Sequence, residues 1–350
     1  MRILDEQPST TFTAPAFAPA PAESRGISRD ATRLLVARVD GISHVLFRDL
    51  ADQLRPGDLV VVNNSATMAA QADARSTRHG VVVVHVATPL DDGTWVIEVR
   101  TAPDAARAVL DAARGDRLTL SGTTLDLLEP YPVEGSSPRH VGNRLWRARV
   151  TGNLIGTLER HGRPIAYGYL DRPYPLAAYQ TIFGTRPGSA EMPSAARPFT
   201  TDLVTRLVSK GVAVAPITLH TGVSSQETGE APQAERFEVS PSTAAALNAV
   251  RAAGGRVVAV GTTVTRAIES AVADDGRVVA RHGWTDRVVT PADPPRVVSG
   301  LVTGWHDPAA SHLLLVEAVA GAALTQAAYD AAVADGYLWH EFGDAALLLP

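Results

Sequence analysis

The chain contains no cysteine, which removes disulfides, zinc–cysteine clusters, iron–sulfur ligation and thiol nucleophiles together. Its ten histidines show no His-Glu-x-x-His or similar helical spacing, so no metal site is expected, although His306 and His312 form a close pair. No run of about 18 apolar residues is free of charge, and no membrane-spanning helix is expected. The N-terminus lacks the basic start and apolar core of a secretory signal; it holds Asp5 and Glu6 and then a Pro/Ala-rich run, which makes cytoplasmic residence the expectation. Positive charge is not in excess either. A net charge of −5 gives no global electrostatic footprint for nucleic acid, though a local basic face can still operate. Gly-x-Gly-x-x-Gly, a Walker loop and a nucleophile elbow are all missing, so nucleotide and serine hydrolysis have no support.

What is there is an ordinary globular composition: 350 residues, 45% hydrophobic and 20% charged, enough for one large or two modest domains with real cores. Residues 1–24 read as a flexible leader, because their Pro and Ala give neither alternation nor a helical stripe. Residues 33–38 and 42–47 read as hairpin strands about Asp40-Gly41. Residues 49–54 read as a helical turn, and 59–62 as an apolar strand that delivers Asn63 to its C-terminal end. Between 67 and 150 five short strands, 81–86, 95–100, 117–120, 124–128 and 145–150, suggest a small barrel or sandwich. From Ser194 onward helices over 200–209, 241–253, 263–273, 311–320 and 324–334 alternate with strands over 212–219, 256–260, 297–302 and 345–349. That texture implies α/β, a mixed or largely parallel sheet covered by helices.

The sharpest local signal is the run 257–263, Val-Val-Ala-Val-Gly-Thr-Thr. A buried strand ends in Gly261 and a Thr-capped helix begins, so the N–H groups of Gly261, Thr262 and Thr263 and the helix dipole suit an anionic group above the sheet edge. Arg266 and Glu269, about one turn apart, could reach a carboxylate and a ribose hydroxyl; the plain alternative is a Gly turn with a surface ion pair. His220, in Thr-Leu-His-Thr-Gly (218–222), follows an apolar strand and lies where α/β sheets bind ligands, as a proton carrier or as a structural histidine. His306, in Gly-Trp-His-Asp-Pro (304–308), is placed for ligand contact or for capping its loop. Asp344, after Phe342-Gly343, forms a turn or accepts a hydrogen bond from a ligand.

Taken in order, these segments resemble the S-adenosylmethionine:tRNA ribosyltransferase-isomerase family of queuosine biosynthesis. The resemblance runs through Arg33-Leu-Leu-Val, Leu54-Arg-Pro-Gly-Asp-Leu-Val, Asn63, Tyr179-Gln-Thr, Gly188-Ser189, Pro193, Thr218-Leu-His, Gly261-Thr-Thr-x-x-Arg-x-x-Glu-Ser and Phe342-Gly-Asp-Ala. It implies an α/β domain, residues 25–66 and 152–350, interrupted by a β-barrel insertion over 67–151. It also implies a reaction in which S-adenosylmethionine gives its ribosyl moiety to a 7-aminomethyl-7-deazaguanine base in tRNA. The ribose rearranges to an epoxycyclopentanediol as adenine and methionine leave. S-adenosylmethionine is then a consumed substrate, and no cofactor or metal is implied. On this resemblance the donor lies near Asn63, Gly222, Gly261, Thr262, Thr263, Arg266 and Glu269, with His220, His306 and Asp344 as acid–base or positioning candidates.

The chain departs from the family where anion recognition is expected. The family's Asn-Asp-Thr-Arg-Val-x-Pro-Ala-Arg is here Asn63-Asn-Ser-Ala-Thr-Met-Ala-Ala-Gln71, without a carboxylate and two arginines. Pro-Thr-Ala-Gly-Leu-His-Phe-Thr becomes Pro193-Ser-Ala-Ala-Arg-Pro-Phe-Thr200, and Gly-Ala-Gly-Thr-Phe becomes Gly222-Val-Ser-Ser-Gln226. His-Lys-Met-His-Ser-Glu becomes Glu230-Ala-Pro-Gln-Ala-Glu235, and Asn-Phe-His-Leu-Pro-Lys-Ser-Thr becomes Gly304-Trp-His-Asp-Pro-Ala-Ala-Ser311. Two other readings follow: the same donor with a non-tRNA acceptor, and a catalytically silent nucleoside-binding protein.

Overall fold

The computed structural model describes residues 6–13, 16–135, 141–224, 230–308 and 310–350. The chain opens with the hairpin β1 (Arg33–Arg38) and β2 (Gly41–Leu46), followed by α1 (Leu50–Gln53), β3 (Leu59–Asn63) and β4 (Ser65–Thr67). Six strands then follow: β5 (Gln71–Ser76), β6 (Gly80–Pro89), β7 (Trp95–Thr101), β8 (Arg117–Leu120), β9 (Thr123–Pro130) and β10 (Leu145–Thr151). They close a barrel in the order β10-β7-β6-β5-β8-β9. Its interior is filled by alternate residues, among them Val84, Val86, Ile97, Leu118, Leu125 and Trp146, as the period-2 geometry of strands requires.

The chain returns through α2 (Leu154–His161), β11 (Arg186–Ser189), α3 (Thr201–Ser209), β12 (Ala213–His220), β13 (Glu235–Val239) and α4 (Pro241–Ala252). It ends with β14 (Val257–Val260), α5 (Thr262–Ser270), β15 (Arg281–Thr285), β16 (Gly300–Gly304), α6 (Ser311–Ala320), α7 (Ala322–Ala334) and β17 (Ala345–Leu349). Nine of these strands form one sheet, in the order β15-β13-β12-β3-β14-β16-β17-β1-β2. Alternate residues of single strands feed two cores. Leu35, Leu59 and Val61 meet α4 to α7 on one face, and Leu34, Val60 and Val62 meet α1 and α3 on the other. Burial on both faces is why the central strands read as unbroken apolar runs.

The sheet is mixed. Pairings β12–β3, β3–β14, β14–β16 and β17–β1 are parallel, and β15–β13, β13–β12, β16–β17 and β1–β2 are antiparallel. Three strands outside the sequence expectation complete it and the barrel. β5 reads Gln-Ala-Asp-Ala-Arg-Ser, poor in β-branched residues, and is held by β6 and β8; β13 and β15 carry polar outward faces near one edge of the sheet.

The flexible leader needs correction for the residues described. Thr10 donates both N–H (2.7 Å) and hydroxyl (2.6 Å) to Glu317, and Phe12 packs on Tyr329 at 4.7 Å between ring centres. Ala18, Ala20 and Ala22 are buried. The segment lies extended across the body, so its small residues pack without the periodicity that marks a helix or a sheet strand. Among the described residues no single helix is long and apolar enough to cross a membrane.

The parallel run β12, β3, β14, β16 brings the C-terminal ends of these strands to one edge. β17 runs antiparallel to β16, so its entry, Phe342-Gly343-Asp344, reaches the same edge. Ligands of open α/β sheets bind there.

Candidate active site

Four of the polar residues picked from the sequence are held by the chain itself. Buried Asn63 accepts the N–H of Ser65 and Leu219, each at 3.0 Å, and donates to the Leu219 carbonyl at 2.8 Å, stapling β3 to β12. Asp344 accepts the N–H groups of Arg33 and Leu338 at 2.9 Å and pairs with the Arg33 guanidinium at 2.8 Å. That is a turn-forming role at the start of β17, where an added Cβ on Gly343 would fall 2.3 Å from the Leu338 carbonyl. Glu269 accepts three backbone N–H groups, from Arg296, Val297 and Val298, at 2.8, 2.9 and 3.0 Å. Arg266 donates to the carbonyls of Arg287 (2.9 Å), Gln233 (3.1 Å) and Thr285 (3.3 Å) and pairs with Glu235. Both α5 residues are buried and do not pair with each other, so neither the outward reach nor the surface ion pair expected of them describes their place.

The strand–glycine–helix turn next to them keeps its expected course, with two corrections: Gly261 rather than a Thr is the cap of α5, and the Gly261 N–H is already donated to the Val302 carbonyl at 2.8 Å, which leaves those of Thr262 and Thr263. Gly261 closes β14 at φ +95° and caps α5, with Ala195 3.4 Å from where its Cβ would sit. Among the described residues no side chain caps this helix, so Thr262 and Thr263 begin it without a side-chain acceptor on their N–H groups. Gly222 donates its N–H to Glu235 at 3.2 Å, and through that carboxylate it is tied to Arg266.

His220, the last residue of β12, has Nδ1 2.7 Å from Ser65 Oγ, which meets Ser189 Oγ at 2.6 Å. Gly188 lies flat against the imidazole; a Cβ there would fall 2.4 Å from Nδ1. Burial, with Arg186 and Arg236 nearby, lowers the His220 pKa and favours the neutral ring. His306 stacks on His312 at 5.0 Å, and its Nε2 meets Thr303 Oγ1 at 3.0 Å. Burial holds His306 well below the ordinary imidazole range and brings His312 to about 4. At neutral pH all three rings are uncharged, each with one nitrogen open to accept a proton.

A second set of groups at the same edge has no counterpart in the sequence expectation. Glu191, in the turn after β11, accepts from the Tyr167 hydroxyl, the Ser224 hydroxyl and, at 2.8 Å, the Ser224 N–H. Glu341, just before β17, accepts from the Tyr169 hydroxyl at 3.2 Å. His340 takes φ +71°, a conformation uncommon outside glycine, and sets its ring 4.9 Å from Tyr169. Burial, with the charge of Glu191 adding, pushes the Glu341 carboxyl up to about 8. These residues lie in separate loops without motif or period; the Tyr-Gly-Tyr of 167–169 was the one local irregularity to notice.

A profile of the family described as queuosine biosynthesis protein matches residues 11–348. The chain belongs to this family. Among its relatives is a protein named S-adenosylmethionine:tRNA ribosyltransferase-isomerase from Symbiobacterium thermophilum, 37% identical over 335 residues, or 92% of this chain and 94% of the relative. One of the same name from Thermus thermophilus is 36% identical over 338 residues, 92% of this chain and 93% of that one. The crystal structure titled S-adenosylmethionine tRNA ribosyltransferase from Thermotoga maritima superposes with a TM-score of 0.51 at 28% identity, covering 95% of this chain and 96% of that one. The queuosine biosynthesis family thus accounts for the mixed sheet and the closed barrel together, as the sequence resemblance implied.

For a member of this family the edge offers three kinds of chemistry: uncapped backbone N–H groups for an anion, neutral imidazoles to accept protons, and paired carboxylates with tyrosines for a positive charge.

Proposed function

We propose that this chain is an S-adenosylmethionine:tRNA ribosyltransferase-isomerase, transferring and isomerising the ribosyl moiety of S-adenosylmethionine onto a 7-deazaguanine base in tRNA, with release of adenine and methionine. The observation that carries this reading is 37% identity to a protein of that name across 92% of the chain. On this reading the N–H groups of Thr262 and Thr263 hold an anionic part of the donor, Gly261 and Gly222 border it, and His220 and His306 accept protons as neutral rings. Arg266, Glu269, Asn63 and Asp344 act indirectly, by holding the strand ends in register. The donor is consumed and no further cofactor takes part; a tRNA acceptor places the reaction in the cytoplasm.

A second reading, the same donor with an acceptor other than tRNA, is favoured by one feature. Residues 63–71, which enter the barrel from the site, carry no charged side chain, and phosphate recognition ordinarily rests on Arg and Lys.

The test is to mix purified protein with S-adenosylmethionine and follow free adenine by chromatography, with tRNA bearing 7-aminomethyl-7-deazaguanine, with the free base, or with neither. Adenine release that depends on the tRNA is expected. Release with the free base alone establishes the second reading, and binding of the donor without adenine in any arm overturns both in favour of a silent protein.

A further inference from the structure

We propose that the half-buried cluster of Glu191 and Glu341 with Tyr167, Tyr169 and His340 is a binding site, a pocket when occupied, for an organic cation, a primary ammonium or a sulfonium. That the cation belongs to the donor or the acceptor of the ribosyl transfer rests on the function proposed above; that the pocket takes a cation does not.

Several parts of the chain build it. Tyr167 and Tyr169 come from the loop after α2, Glu191 from the turn after β11, Ser224 from the segment after β12, and His340 and Glu341 from the approach to β17. The rings pack as a wall. Tyr169 lies 6.1 Å from Tyr167, 4.9 Å from His340 and 5.4 Å from Phe17 of the N-terminal segment. Aromatic faces beside carboxylates are the surroundings that bind ammonium and sulfonium groups, through ring quadrupole and charge together.

The two carboxylates differ in how they are satisfied. Glu191 has three donors. Glu341 has the Tyr169 hydroxyl alone among the described residues, at 3.2 Å, although a carboxylate offers about four acceptor positions. Among the described residues neither carboxylate has an Arg or Lys partner, and the charge of Glu191 acts on Glu341. Two carboxylates away from bulk water repel each other unless a proton or a cation lies between them.

A second polar group is short of a partner near Glu341. Among the described residues the Tyr179 hydroxyl is buried without a hydrogen-bond partner, in a residue 1% exposed, and it lies close enough to feel the charge of Glu341. Buried hydroxyls are nearly always paired. A ligand held by Glu341 would supply the missing partner once the side chains that cover this oxygen shift to admit it.

The test is calorimetric titration of the full chain and of Glu341→Gln and Glu191→Gln, each checked for fold by circular dichroism, with two charged probes, each set against a counterpart that lacks one positive charge. The probes are 7-aminomethyl-7-deazaguanine against its N-acetyl derivative, which lacks the ammonium, and S-adenosylmethionine against S-adenosylhomocysteine, which lacks the sulfonium but keeps the amino-acid ammonium. The expected result is that at least one charged probe loses about tenfold or more in affinity in both variants while the N-acetylated base is unaffected. Loss confined to the amine of the base assigns the pocket to the acceptor, loss confined to S-adenosylmethionine assigns it to the sulfonium, and equal loss for S-adenosylmethionine and S-adenosylhomocysteine assigns it to the ammonium they share. If every probe binds all three proteins alike, the cation pocket is wrong, even if the wild type releases adenine with tRNA. If a charged probe depends on the carboxylates while no adenine is released, the pocket stands and the proposed reaction falls.

Discussion

Two sets of polar side chains meet at the same sheet edge. Asn63, Arg266, Glu269 and Asp344 have nearly every donor or acceptor position filled by backbone groups or by an internal ion pair. Glu341 and Tyr179 are buried or half-buried with, among the described residues, one partner or none. Because a buried polar group left unpaired costs more than a made hydrogen bond contributes, the first set spends its polarity on the fold and the second keeps it for something from outside. The comparison separates residues whose loss should unfold the chain from residues whose loss should empty its site.

The largest effect that could break this division is at Arg266. Arg266→Ala leaves Glu235 buried without its partner, and removing one member of a buried ion pair costs about 3–5 kcal/mol. Urea denaturation should show that loss. A variant of near-normal stability with weakened S-adenosylmethionine binding would instead return Arg266 to the ligand. Glu269→Ala should come next, at roughly 3 kcal/mol, since it strands the N–H groups of Arg296, Val297 and Val298 and charge-assisted bonds to a carboxylate are among the stronger ones. The same denaturation series measures it.

Glu341 should behave in the opposite way. Its carboxyl is raised by burial from 4.5 to about 8, so the folded chain holds a proton there that the unfolded chain has released. The stability this proton lends is complete below pH 4.5, falls as pH rises toward 8, and is gone above it. Glu341→Gln carries no such proton. Melting temperatures of wild type and variant, compared at pH 5 and pH 8.5, should therefore move in the variant's favour at the higher pH. A gap that does not change with pH would mean that Glu341 is satisfied as an anion by the chain itself, and would place it with the first set.

Much of the fold was legible because its central strands are short apolar runs closed by glycine or polar residues. Val257–Val260 before Gly261 and Ala345–Leu349 after Gly343-Asp344 could hardly be anything else. β5 was not legible because barrel closure, rather than its own composition, makes it a strand, and the N-terminal segment was not because an extended strap has no period. The site was half legible for the same reason. Gly261, His220 and His306 sit at ends of strands or just past them, where topology alone points, whereas Glu191, Glu341, Tyr167 and Tyr169 lie in loops far apart in sequence and come together only when the sheet edge is assembled. Chemical type also misled: Arg266 and Glu269 look like ligand groups on a helix diagram, and burial decides otherwise.

The smallest expected effect on stability is the one that sharpens the comparison most. Tyr179→Phe removes a hydroxyl that has no hydrogen-bond partner among the described residues and keeps the ring against Phe342, 5.1 Å away. Deleting an unpaired buried polar group relieves its desolvation cost, so the variant should be as stable as the wild type or more stable by up to about 1 kcal/mol. If the hydroxyl completes a ligand's hydrogen bonds, the same variant should bind the charged probe that depends on Glu341 several-fold more weakly, with unchanged affinity for a counterpart that lacks the recognised charge. Lower stability would show that Tyr179 serves the fold; equal stability with weaker binding is a signature that only a group held in reserve for a ligand produces.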